Sequence, residues 1–144
     1  MLVDRVTGLL VVTGGRNVCE VSPEGHVRPL LRAHQRNPLH GPHGLVQAIG
    51  AGDMVFLEED RLPALYRLGR QGLLEHVTSL LSYPIGLAQE RETGDLVISR
   101  NGNFSRQAEG GFWPSAVVRL SGFSRGSEFE LDGWLGCADD PLPR

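Results

Sequence analysis

Short apolar runs, rich in β-branched side chains and broken at regular intervals by glycine, dominate the pattern of hydrophobic and polar positions. Leu9-Leu10-Val11-Val12, Met54-Val55-Phe56-Leu57 and Leu96-Val97-Ile98 are the clearest. Each is too short for an ordinary helix and has the β-branched and aromatic content of a buried strand. A glycine stands just before each run, at Gly8, Gly52 and Gly94, and the last two glycines are followed by Asp53 and Asp95. Downstream comes a second run in each unit: Val18-Cys19-Glu20-Val21, Leu65-Tyr66-Arg67-Leu68 and Val117-Val118-Arg119-Leu120. Two of these enter tight turns that close on glycine, Ser22-Pro23-Glu24-Gly25 and Gly69-Arg70-Gln71-Gly72, the chemistry of a hairpin.

A phrase ahead of these runs occurs twice, as Pro42-His43-Gly44-Leu45 and Pro84-Ile85-Gly86-Leu87. The two prolines are 42 residues apart, and so are Gly52 and Gly94. Four short strands per period of this length are the signature of β-propeller blades. The expected fold is therefore all-β, with three four-stranded blades over about residues 1–33, 42–81 and 84–132 and a tail over 133–144. Blade one lacks the Pro-x-Gly-Leu opening and starts with the end of an inner strand at Met1 to Asp4. Its fourth strand, Val27 to Leu31, contains Pro29, which an outermost strand tolerates because it has no outer neighbour to bond. The stretch from Leu73 to Leu80 is a strand by repeat register, although Leu73, Val77, Leu80 and Leu81 also fit a helical stripe. Propellers have about four to eight blades. Three blades imply either two copies paired into a six-bladed ring or a fragment of a longer polypeptide.

Composition narrows the function classes. Nineteen glycines and nine prolines in 144 residues suit many strands joined by turns. No apolar run has the length of a membrane helix, and Met1-Leu2-Val3-Asp4-Arg5 does not resemble a signal peptide, so a soluble cytoplasmic protein is expected, or an extracellular one if the N-terminus is truncated. The formal charge of −3 argues against a nucleic-acid surface. All fourteen basic residues are arginine, which excludes a lysine Schiff base. Cys19 and Cys137 have no metal-type spacing.

In a ring of meanders, the connectors between blades and the loops joining second to third strands share one face. That rule gathers His34, His40, His43, the turn from Glu58 to Arg61 and a long insertion from Arg100 to Pro114 on one side. The insertion carries Phe104, Phe112 and Trp113, and a loop of this length on a rigid scaffold is usually functional. His34, His40, Phe104, Phe112 and Trp113 are the candidate binding residues. Glu58, Glu59 and Asn101, beside the histidines, are candidate ligands for a divalent ion, Ca²⁺ or Mg²⁺. The spacing matches no dedicated metal motif; connector histidines are ordinarily solvated, and Asn101-Gly102 is first a turn dipeptide.

The sequence Pro-x-Gly-Leu, then Gly-Asp and a strand, then an apolar-Arg-apolar strand and glycine, resembles the NHL-type β-propeller superfamily, which includes the senescence-marker/gluconolactonase group and virginiamycin B lyase. The resemblance covers nearly the whole chain. Blade two is similar to the lyase pattern at His43-Gly44 and Glu58, which implies His43 as general acid/base and Glu58 as a metal ligand. Blade three departs from it, with Ile85 at the histidine position and Arg100 about where the glutamate would stand. Gluconolactonase-like blades imply a hub metal held by carboxylate and Asn side chains, for which Glu58, Glu59 and Asn101 are the counterparts. Two functions are expected from these readings. The first is a binding or assembly module that presents the histidine-rich connector and aromatic insertion to a small molecule or protein, self-association included. The rival is a metal-dependent lactonase or lyase with its site in the channel.

Overall fold

The computed structural model describes residues 1–33, 35–50, 52–59, 63–79, 84–100, 116–121 and 130–136. These form three antiparallel four-stranded sheets, each a simple meander, with no helix among the described residues. Sheet I contains β1 (Leu2–Val3), β2 (Leu10–Gly14), β3 (Asn17–Val21) and β4 (Val27–Pro29). Sheet II contains β5 (Pro42–Gln47), β6 (Met54–Glu58), β7 (Ala64–Leu68) and β8 (Leu74–Ser79). Sheet III contains β9 (Pro84–Gln89), β10 (Leu96–Arg100), β11 (Ala116–Ser121) and β12 (Glu130–Gly136).

The repeat register prevails over the helical stripe at β8, which pairs with β7 from Leu74↔Leu68 to Ser79↔Ala64. At the end of sheet III the outer strand differs from expectation. It runs over Glu130–Gly136, into the stretch expected as a tail after residue 132, and pairs Ala116 with Gly136. Gly133 lies between the paired Asp132 and Trp134, where the register shifts between Val118 and Arg119.

Sheet II lies between the other two, with β5 against β1 and β2 on one side and β9 on the other. The alternation of strand side chains divides its residues between two cores. Met54, Phe56 and Leu68 pack with Val11, Val18 and Leu39 toward sheet I. Val55, Leu57 and Leu65 pack with Leu96, Ile98 and Leu120 toward sheet III. Every residue of β6 is buried, so this strand reads as an unbroken apolar run ending in one carboxylate, Glu58. Phe56 stacks on its cross-strand partner Tyr66 with ring centroids 6.2 Å apart, and His76 meets the edge of Tyr66 at 5.5 Å.

Gly44, in the repeated phrase, explains part of that phrase. Its φ is +59°, and a Cβ there would stand 2.9 Å from Leu57 Cδ1 and 3.3 Å from Leu87 Cβ. The β5–β6 register shifts at this point, between His43 and Val46. Glycine thus lets β5 bulge where sheet III comes against sheet II. Gly44→Ala combines left-handed strain of about 1–2 kcal/mol with a core clash of similar cost. The variant is expected to lose about 2–4 kcal/mol in urea unfolding followed by circular dichroism.

Candidate functional site

The strand ends form two clusters. At one end lie the connector before β5, the end of β6 and the start of β9. Glu58 is 3% exposed, and its two carboxylate oxygens accept the backbone N–H groups of His40 at 3.0 Å and Gly41 at 2.8 Å. His43 sits with Nδ1 3.1 Å from the Gly41 carbonyl and Nε2 3.1 Å from the Pro84 carbonyl, so its ring spans the junction of sheets II and III. Burial, followed by the charge of Glu58, pushes the Tyr66 phenol above its ordinary pKa. His40 and Glu59 are exposed. The structure thus brings together His40, His43 and Glu58 and ties two of them to the backbone. His34, Asn101, Phe104, Phe112 and Trp113 lie outside the described residues. Among the described residues, no group of three or more His, Cys, Asp or Glu side chains gathers in a way that could hold a metal ion. No described helix is long and apolar enough to cross a membrane.

The opposite end, formed by the loops after β1, β5, β9 and β7, carries a denser polar network. Asp4 is 1% exposed and takes four donors: Val6 N–H at 2.8 Å, Thr7 Oγ1 at 3.0 Å, Gln47 Nε2 at 2.7 Å and Arg70 Nη1 at 2.6 Å. Burial by itself raises a carboxyl pKa, but here the Val6 amide, Arg70, Gln47 and Thr7 reverse that effect and hold Asp4 at about 2. Arg5 lies over the same corner, donating through its side chain to the Gln47 amide oxygen and the Gln47 and Ala48 carbonyls. Arg67 pairs with Asp53 at 2.6 Å, and in sheet III Arg119 pairs with Asp95 and Glu90.

Sheet I inverts this last arrangement. Register places Glu20 opposite Val11, where the other sheets have Arg67 opposite Val55 and Arg119 opposite Val97. Glu20 is buried, and Arg28 from the outer strand answers its charge. A cleft of about 340 Å³ opens beside this pair between sheets I and II, lined among others by Asp4, Glu20, Arg28, Arg32 and Arg70.

One detail of this end repeats. Gln47 donates through Nε2 to the Gly52 carbonyl and accepts the Arg5 N–H at 2.8 Å from sheet I. Gln89 donates to the Gly94 carbonyl and accepts the Ile49 N–H at 3.0 Å from sheet II. Each glutamine closes the turn of its own sheet and fastens that sheet to the one before it. The signal was present in sequence, since Gln47 and Gln89 keep the 42-residue period, but it lay beyond the Pro-x-Gly-Leu phrase that drew attention to the histidines.

No protein-family model matches the chain, and a search of curated proteins finds no match either.

The depressed pKa of Asp4 makes the network pH-dependent in a stated direction. Its ordinary value is 3.8 and its folded value about 2, so its stabilisation is fully present above pH 4 and disappears as pH falls from about 4 to about 2. Its full extent is about 2 kcal/mol. Asp4→Asn is expected to lose stability at pH 6 and to show a smaller fall in stability between pH 4 and pH 2 than the native chain. Parallel urea titrations at a series of pH values measure the difference.

Proposed function

We propose that the three sheets are successive blades of an NHL-like β-propeller and that the protein is an assembly module, binding further blades through its two outer sheet faces. The observation that carries this reading is the repeated seam. Sheets I and II, and sheets II and III, meet through the same glutamine bridge between inner-strand ends, with an apolar core beneath each. By alternation, the far face of sheet I presents Leu10, Val12, Cys19 and Val21, and that of sheet III presents Val97, Ser99 and Val117, all half-buried. In the middle sheet, the positions corresponding to Val97 and Val117 are Val55 and Leu65, both fully buried by a neighbour. Stacked repeats gain stability from such neighbours and expose apolar surface without them. The alternative, a channel enzyme working through His43 and Glu58, draws no support from their hydrogen bonds, which serve the backbone of the connector and of β9.

Two full chains joined by a flexible Gly/Ser linker test the assembly reading, since linkage raises the local concentration to about the millimolar range. The linked protein is expected to scatter X-rays as one compact six-sheet body and to unfold at a midpoint several degrees above the single chain, about the effect of one or two kcal/mol in a domain of this size. An extended two-body profile with an unchanged midpoint overturns it.

A further inference from the structure

Resting on the assembly reading, we infer that the outer face of sheet III selects a blade carrying glutamine at the end of its inner strand, and that a second copy of this chain's own sheet I is a poor closing partner. Three positions correspond by register. Val3 opposite Leu10, Gln47 opposite Met54 and Gln89 opposite Leu96 all end the first strand of their sheet. The turn that follows is also the same in all three: Asp4 N–H to Leu9 carbonyl, Ala48 to Asp53 and Glu90 to Asp95, each at 2.8 Å. The amide that receives glutamine is the residue after the turn's first member, Arg5 in sheet I and Ile49 in sheet II. In sheet III that residue is Arg91, which lies exposed.

The Arg91 N–H is thus the third member of a series whose first two members each meet a glutamine oxygen. The blade that completes the series must bring an acceptor of the same reach on a strand of the same register, and a glutamine does so while also closing its own turn. Sheet I has Val3 at this position, 60% exposed, with no polar atom on its side chain. A second copy docked in this register would set a valine against the Arg91 amide, removing it from water without a partner, which disfavours that pairing. The occupant is accordingly a propeller blade with glutamine at the Val3 register. The apolar faces drive association, and this one polar position discriminates between blades.

The test places the missing group on the chain itself. Val3→Gln changes an exposed residue at a strand end, and its dissociation constant for self-association is compared with that of the native chain by analytical ultracentrifugation. The native chain is expected to pair weakly and Val3→Gln about tenfold more tightly or better, the scale of one or two net hydrogen bonds. Arg91→Pro removes the N–H at a turn position that accepts proline, and added to Val3→Gln it is expected to return the affinity to the native level. Equal affinity of native and Val3→Gln chains, or a gain that Arg91→Pro leaves intact, overturns the inference. A linked pair that forms a compact ring while Val3→Gln changes nothing refutes the glutamine selection alone. A linked pair that stays extended even with Val3→Gln in both chains refutes the propeller assembly beneath it.

Discussion

A four-stranded sheet with apolar side chains on both faces cannot stand alone in water, and the rest of the structure follows from that constraint. Sheet II is the extreme case, since every residue of β6 is buried and its side chains alternate between two separate cores. The hydrophobic effect supplies the association but not its register, because it has no direction. Register comes from the polar groups at the strand ends: the glutamine bridges, the Asp4 cluster and the paired N–H groups held by Glu58. Each sits where a shift of one residue would leave a buried donor or acceptor unmatched, which costs more than the bond itself contributes.

The two ends of the strands are built differently. One is organised around backbone groups, with Glu58 accepting connector amides and the His43 ring set between the Gly41 and Pro84 carbonyls. The other is organised around side chains, with ion pairs at Asp4, Asp53 and Asp95. A carboxylate in the first setting fixes a loop. In the second setting Asp53 and Asp95 tie strands of one sheet together, whereas Asp4 joins two sheets through Arg70 and Gln47.

Much of the fold was legible because the repeat is written in residues with strict backbone demands. Gly44 recurs as Gly86, and Gly52 as Gly94, and in sheet II the two glycines answer to a bulge and a tight turn with positive φ. Strand positions followed from these, including β8 against its helical periodicity. The end of β12 did not, because the stretch from Gly133 carries none of the repeat's phrases and reads as a tail, whereas the strand reaches Gly136. For the candidate site, Glu58 and His43 were legible as residues, and their hydrogen bonds to connector and β9 backbone were not. Asp4, Gln47 and Arg70 were invisible as a group because the bonds that unite them span 43 and 66 residues. No local pattern reports such a contact.

That separation bears on how the protein comes into being. The strands of sheet I pair only with one another, yet its Asp4 waits for Gln47 and Arg70, its Arg32 amide for the Gly72 carbonyl, and its Gln35 connector for Leu74. Chains emerge from the ribosome N-terminus first, and domains generally form as their residues appear. Sheet I is complete in sequence by Pro29 but acquires its full set of partners only when Leu74 is out. During that interval its apolar face toward sheet II stands open, so sheet I is held unfinished until the part of the chain that follows it has been made.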